Sequence, residues 1–166
     1  KNGKLYGIGY TAVVEPSVSN MGYITTALPY EEREKSGHKG GAIASASVAI
    51  GPMGGVYVTC DSLPQGQGHK TVLAQVVADI FGISFEIVNV NSELDTQKDP
   101  WSIAAGNYSS RFAGAVAGTT ALAAKKLKTK LALIASSRLN CKTENLVFEN
   151  NYVLDKNNID NKIPFN

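Results

Sequence analysis

The run PQGQGHKT at residues 64–71 has the residue types and spacing that can hold an anion. It lies between a strand-like segment, Val56 to Cys60, and an amphipathic helical segment. Gly66 and Gly68 allow a tight turn with a close approach of the main chain, and the first turn of a helix leaves N–H groups unpaired. Gln67 adds an amide that both donates and accepts. The run predicts an anion or amide site, with a plain tight connection as the alternative.

Two familiar phosphate-binding motifs do not fit this run. A Walker loop requires glycine directly before lysine, but His69 separates Gly68 from Lys70. A dinucleotide fingerprint requires a third glycine, and Thr71 occupies that place. The predicted ligand is therefore an anion or amide held in another way.

A second loop, GNYSSR at residues 106–111, precedes a long helical pattern from about Phe112 to Asn140. Its hydroxyls stand where N-caps normally stand, so capping is the simplest interpretation. Gly114 and Gly118 are four residues apart, and we expect their narrow face to serve close packing. Four lysines in the later turns are predicted to be solvated and to match the helix dipole: Lys125, Lys126, Lys128 and Lys130.

Strand and helix patterns alternate along the rest of the chain. The predicted elements are a strand over residues 5–15, a hairpin of residues 40–50 and 56–60, a helix over 70–81 closed by Gly82, a strand over 85–90, the long helix and a hairpin of residues 146–148 and 152–154. This order predicts an α+β fold, a mixed, mostly antiparallel sheet with two main helices on one face. We expect a single domain over residues 1–166, with a core over about 1–145 and a terminal hairpin and linker over 146–166.

Composition excludes several classes of function. A net charge of +2 gives no electrostatic case for nucleic acid or a membrane surface, and the most apolar stretch, Phe112 to Ala124, is too short to span a bilayer. Cys60 and Cys141 fit no zinc or disulfide pattern, which indicates a reducing, cytoplasmic setting. His38 and His69 have no second ligand at metal-binding spacing, so no metal ligand is predicted.

Three segments in one order resemble the large, molybdopterin-binding subunit of the xanthine dehydrogenase and aldehyde oxidase family. They are VEPSVSNMGY at residues 14–23, VYVTCDSLPQGQGHKTVLAQVVADIFGI at 56–83 and GNYSSRFAGAVAGTTALAAKKL at 106–127. The resemblance covers about residues 7–140. It is strongest to carbon monoxide dehydrogenase and aldehyde dehydrogenase large chains, in which a G-Q-G-H turn, an Asp-Thr pair (here Asp95-Thr96) and a Ser-Arg loop recur in this order.

The resemblance implies an oxidoreductase. In that family oxygen from water is inserted into a carbon substrate at a molybdenum centre, and electrons leave through iron–sulfur and flavin subunits. It implies molybdopterin with molybdenum, in the cytosine dinucleotide form, as the cofactor. Position by position it assigns cofactor binding to Gly66, Gln67, Gly68, Ser109, Ser110, Arg111 and Phe112, with Tyr108 and Ser109 toward the substrate side.

Two family features are missing, a catalytic glutamate in a G-x-G-E-type motif and a substrate-facing loop with a Phe or Cys-Ser-Phe-Arg segment. No catalytic residue is therefore predicted, and acids such as Asp61, Asp79 and Glu86 are expected to be solvated. Phe112 replaces a small hydroxylated residue of many relatives and offers a main-chain amide only.

We expect a cofactor-binding piece excised from a larger large subunit, inactive alone, whose substrate is carbon monoxide, an aldehyde or an N-heterocycle. The alternatives are a stand-alone, non-catalytic molybdopterin-binding or carrier module, and an α+β domain whose glycine-rich turn is purely structural.

Overall fold

The structure is a computed structural model that describes residues 2–14, 28–35, 44–93, 95, 97, 106–107 and 110–165. Its α-helices are α1 (Tyr30–Lys35), α2 (His69–Phe81) and α3 (Ala117–Leu139). Its strands are β1 (Ala46–Ile50), β2 (Val56–Cys60), β3 (Val88–Asn91), β4 (Leu146–Glu149), β5 (Tyr152–Asp155) and β6 (Asn158–Pro164). Short 3₁₀ turns occupy Phe85–Ile87 and Thr143–Asn145, and a π-helical stretch, Phe112–Val116, leads directly into α3.

The strands form two sheets of three. In the first sheet β2 lies between β1, which is antiparallel to it, and β3, which is parallel. The second sheet, β4-β5-β6, is antiparallel throughout. The α+β class and the mostly antiparallel pairing are confirmed, but the strands divide between two sheets. A 23-residue α3 is about 35 Å long at 1.5 Å per residue, so it carries the chain away from the first sheet before the hairpin begins.

Both long helices cover one face of the first sheet, as predicted. Val56 and Val58 of β2 are fully buried and pack with Val77 and Phe81 of α2 and with Ala124 of α3. This arrangement follows from the period-2 pattern of β2 and the helical pattern of α2, which each present one apolar face. The first sheet and the two helix beginnings beside it form the frame of the candidate site.

Helix α2 agrees closely with its sequence pattern. It begins at His69, one residue before the predicted start, and ends at Phe81. Gly82 follows in the left-handed conformation (φ 64°) and its N–H donates to the carbonyl of Ala78. A Cβ at Gly82 would lie 2.1 Å from the carbonyl oxygen of Phe148, so glycine is required by packing as well.

Two predicted strands differ from the structure. Residues 5–14 have no regular secondary structure, and Leu5 and Tyr10 are 101% and 91% exposed. A strand requires a hydrogen-bonding neighbour, and none lies beside residues 5–14 among the described strands. The predicted strand over 85–90 begins only at Val88, because the hydroxyl of Ser84 accepts from the N–H of Glu86 and closes a 3₁₀ turn first. Residues 15 and 40–43 lie outside the described part of the chain.

The terminal segment contains the predicted hairpin and one unpredicted strand. Asn150 and Asn151 have φ values of 52° and 64° and form the two-residue turn between β4 and β5. The expected linker is wrong for residues 158–164, which form β6 and extend the second sheet. Phe165 then packs on Phe81 with ring centroids 5.2 Å apart, so the tail is fixed to the core.

Two expectations for α3 require correction. The predicted close-packing face is wrong at Gly118, because a Cβ placed there would meet no described atom within 4 Å. Lys125, Lys126 and Lys130 are exposed as expected. Lys128 is half-buried: its ammonium donates to the carbonyl of Ile80 and lies 4.7 Å from the ring centroid of Phe148. In the described segments no helix has the length and apolarity needed to cross a membrane.

Candidate functional site

The two predicted binding loops lie against each other. We call residues 61–68 the first loop and residues 106–111 the second loop. The hydroxyl of Ser62 donates to Oδ1 of Asn107 at 2.8 Å, and Nδ2 of Asn107 donates to the carbonyl of Leu63. One amide side chain of the second loop therefore holds two consecutive residues of the first.

A buried ion pair joins the same two loops. Nη2 of Arg111 lies 3.4 Å from Oδ2 of Asp61, and both side chains are 0% exposed. The expectation that Asp61 is solvated is wrong, because a guanidinium distant in sequence supplies its counter-charge. Asp79 and Glu86 are exposed, as expected. The carboxylate of Asp61 thus fixes the position of the second loop.

The ring of His69 stacks on the ring of Phe112. The centroids are 3.7 Å apart and the planes differ by 3°. His69 is the first residue of α2, and Phe112 is the first residue of the π-helical stretch that leads into α3. Two helix beginnings therefore lie side by side, so that the positive ends of their dipoles can act on one anion.

The imidazole of His69 is fully buried, and neither of its nitrogens has a hydrogen-bond partner among the described atoms. Burial lowers the pKa of His69, and the nearby main chain of Ser62 opposes this shift without reaching hydrogen-bond geometry. We therefore treat the ring as neutral at pH 7.

The glycine-rich turn presents its main chain to solvent. Gly66 and Gly68 have φ values of 101° and 78°, which favour glycine, and a Cβ on either would meet no described atom within 4 Å. Gly68 is the N-cap of α2 and no side chain caps the helix there. Oε1 of Gln67 accepts from the N–H of Gln65 at 2.6 Å, which leaves Nε2 of Gln67 to donate. The turn therefore offers exposed donors.

The second loop is described only in part. Ser110 is exposed and has a φ of 51°, in the left-handed region. No side-chain cap closes the π-helical stretch at its N-cap, Arg111, so the predicted capping by hydroxyls is not found in the described residues. Tyr108 and Ser109 lie outside the described residues. The guanidinium of Arg111 faces inward to Asp61, so what this residue can offer a ligand is its main chain.

Sequence reasoning did not single out three residues that position the site: Asp61, His69 and Asn107. Asp61 lies three residues before the glycine-rich run, and His69 and Asn107 lie within the two predicted motifs, but each makes its contact with the segment around the other motif. A lone aspartate directly after a buried strand and a lone arginine at a helix start were the available signals. Only an expected approach of the two loops could have paired them.

The whole chain, residues 1–166, matches the family model described as the molybdopterin cofactor-binding domain. The chain belongs to this family. The family resemblance found in the motifs is thereby confirmed.

Curated relatives of this molybdopterin cofactor-binding domain are much longer proteins. This chain is 31% identical over 152 residues to the nicotine 6-hydroxylase large subunit of Paenarthrobacter nicotinovorans, and the match covers 92% of this chain and 17% of that protein. It is 34% identical over 109 residues to the carbon monoxide dehydrogenase large chain of Hydrogenophaga pseudoflava, covering 66% of this chain and 13% of that protein. The chain thus spans less than a fifth of the length of these relatives.

Solved structures support the same fold. A Cu,Mo-CO dehydrogenase in the carbon monoxide reduced state matches with a TM-score of 0.67 and 29% identity, over 75% of this chain and 15% of that one. Quinoline 2-oxidoreductase from Pseudomonas putida 86 matches with a TM-score of 0.66 and 32% identity, over 74% of this chain and 15% of that one.

The donors of this molybdopterin cofactor-binding domain suit an anionic group. Residues 62–71 and 106–112 contain no acidic side chain, and the neighbouring Asp61 is already paired with Arg111. The available groups are the uncapped first turn of α2, Nε2 of Gln67 and the main chain at Phe112, where the π-helical stretch before α3 begins. Neutral N–H donors at helix beginnings bind phosphate groups well, so the residues present fit a phosphate-bearing pterin cofactor.

Proposed function

We propose that this chain is the cofactor-binding part of a molybdenum hydroxylase that oxidises a small carbon substrate. The observation that carries the proposal is the side-by-side packing of two helix beginnings, at His69 and Phe112, with an exposed glycine-rich turn directly before His69. The length of the relatives supports a larger subunit around this chain, with the substrate site formed elsewhere in it. Carbon monoxide, an aldehyde or an N-heterocycle remain the candidate substrates.

The proposed cofactor contacts divide between the two loops. Gly66, Gln67 and Gly68 would donate main-chain N–H groups and the Gln67 amide. Ser109 and Ser110 would add hydroxyl or main-chain donors. Arg111 and Phe112 would contribute main-chain donors, because their side chains face Asp61 and His69.

Bound at this site, the molybdenum cofactor would supply the oxidation chemistry, and the chain itself would bind and orient it. The cytosine dinucleotide form is proposed because its pyrophosphate offers two adjacent anionic groups to two adjacent helix beginnings. Electrons would pass to iron–sulfur and flavin subunits of aldehyde, xanthine or carbon monoxide dehydrogenase type. A cytoplasmic location is part of the proposal, supported by the free thiols of Cys60 and Cys141.

The test is a titration of the purified chain with molybdopterin cytosine dinucleotide, comparing Gln67→Ala with Gln75→Ala. Gln75 is an exposed glutamine of α2 and serves as the matched control. We expect Gln67→Ala to weaken binding by roughly two- to tenfold, the effect of one lost hydrogen bond, and Gln75→Ala to bind like the unmodified chain. Equal affinities of both variants, or no binding by a folded chain, would contradict the proposal.

Purified alone, the chain is expected to bind the cofactor without oxidising substrate, because it contains no G-x-G-E-type motif. Turnover of carbon monoxide or an aldehyde by the isolated chain would show that its site is complete and that the larger subunit is unnecessary.

A further inference from the structure

The imidazole of His69 is costly for folding at a position where an apolar ring would pack equally well. It is 0% exposed, it stacks flat on Phe112, and both of its nitrogens lack hydrogen-bond partners among the described residues. Buried polar atoms without partners destabilise a fold relative to an apolar side chain of the same shape. Packing alone therefore does not explain a histidine here.

The stack is the side-chain contact between the first residues of two helical segments. His69 begins α2 and Phe112 begins the π-helical stretch before α3, so the ring separation sets the distance between the main-chain donors of the two segments. A π-helical stretch inside a longer helix is a local irregularity that often accompanies a functional site. A change at either ring would move one set of donors relative to the other.

A positive charge on this ring would be poorly tolerated. Both helix beginnings carry partial positive charge, and Arg111 is adjacent to Phe112. Among the charged groups on the surrounding elements, Asp61 and Arg111 are paired with each other and Lys70 is exposed. Asp79 of α2 is exposed, so on these elements no described buried carboxylate other than the paired Asp61 can balance an imidazolium.

We propose that His69 is a positioning residue: its neutral ring, stacked on Phe112, sets the spacing of the two groups of cofactor-binding donors, and its protonation releases the bound cofactor. This inference rests on the function proposed above. The direction of the pH effect follows from burial, which lowers the pKa of His69 below its ordinary value of about 6.5. The stacked, neutral form is fully populated above about pH 6.5, and it is lost as the pH falls below that value through the lower pKa of His69 in the folded chain.

A suitable probe is a dicytidine dinucleotide joined by pyrophosphate, because its linkage keeps the same charge between pH 5.5 and pH 7.5. We expect its affinity for the unmodified chain to fall over this interval by less than about tenfold, which is the fall that an unshifted histidine pKa of about 6.5 would give, because burial lowers the pKa of His69. His69→Phe retains a ring that stacks and cannot be protonated. It is expected to bind the probe with the same affinity at both pH values, whatever that affinity is.

His38→Phe is the matched control, because His38 is the only other histidine of the chain. This variant is expected to show the same fall in affinity between pH 7.5 and pH 5.5 as the unmodified chain. If His69→Phe does not fold, Phe112→Leu replaces it, since leucine remains apolar and removes the stacked ring. Phe112→Leu is expected to bind the probe more weakly at pH 7.5 and to show a smaller change with pH.

A measurement without ligand separates this inference from the proposed function. With two histidines in the chain, the ring protons of His69 can be identified in an NMR spectrum as those absent from His69→Phe. The ring current of Phe112 should shift them upfield, and this shift should disappear as the pH falls below about 6.5.

Each outcome decides one of the two ideas. Probe binding that is weakened by Gln67→Ala but independent of pH would overturn the role of His69 and leave the proposed function in place. The same pH effect in His69→Phe would also overturn the role of His69. So would an affinity of the unmodified chain that rises at low pH, because the imidazolium would then bind the probe directly. A normal ring titration with no probe binding at pH 7.5 would overturn the proposed function and the release of cofactor with it.

Discussion

Asp61 and Arg111 are fifty positions apart in the sequence, and their charged groups lie 3.4 Å apart with both side chains fully buried. Asp61 directly follows β2, and Arg111 directly precedes the helical segment that begins at Phe112. Their contact therefore fixes one end of the first sheet to the beginning of the helix that covers it. The candidate site lies at this junction.

Breaking this pair should destabilise the fold strongly. We expect Asp61→Asn to lower the free energy of unfolding by about 3–5 kcal/mol, because the buried guanidinium of Arg111 loses the carboxylate that lies 3.4 Å from it. Urea unfolding followed by circular dichroism measures the change. The double variant Asp61→Leu with Arg111→Met should recover much of the loss, since both charges are then absent. If the double variant loses as much unfolding free energy as Asp61→Leu and Arg111→Met lose together when made singly, the pair is not the source of the effect.

Two glycines should respond in opposite directions to alanine. Gly82→Ala is expected to lower the free energy of unfolding by more than about 2 kcal/mol, because the left-handed φ and the contact with the carbonyl of Phe148 both oppose a Cβ. Gly118→Ala is expected to raise it by about 0.5–1 kcal/mol, because the position is helical and open. Thermal unfolding of both variants provides the test, and destabilisation by Gly118→Ala would indicate a close contact at that face.

Lys128 should contribute to the free energy of unfolding, whereas the exposed lysines of α3 should not. Its ammonium interacts with the carbonyl of Ile80 at the end of α2 and with the ring of Phe148. Lys128→Met keeps the aliphatic stem and is expected to cost about 1–2 kcal/mol of unfolding free energy. Lys126→Met, at an exposed position of the same helix, is the control and should change it by less than about 0.5 kcal/mol. Equal effects would place Lys128 among the solvated lysines after all.

Stability should also depend on pH through His69. Because burial lowers the pKa of this ring in the folded state, the unfolded chain binds a proton more readily. The resulting stability is fully present above about pH 6.5 and declines as the pH falls through that value toward the lower folded pKa. Comparing urea unfolding of the unmodified chain and His69→Phe at pH 7.5 and pH 5.5 isolates this contribution. A decline of equal size in both would assign it to other groups.

The sequence by itself determined the elements whose signals are local. The apolar spacing of residues 70–81 and the glycine at position 82 predicted α2 to within one residue, because helical periodicity and a left-handed cap depend on neighbours a few residues away. The paired asparagines at 150 and 151 predicted their hairpin for the same reason. The order of the glycine-rich turn and the Ser-Arg loop was sufficient to recognise the family.

Only the tertiary structure decided which distant residues meet. The pairing of Asp61 with Arg111 and the stacking of His69 on Phe112 each join residues more than forty positions apart. Residues 158–164 form β6 because they pair with β5, and the sequence pattern had not indicated a strand there. Residues 5–14 have a strand-like pattern, but no described strand lies beside them and they form no strand. Burial, counter-charges and strand partners are supplied by segments that are remote in sequence, so local periodicity cannot predict them.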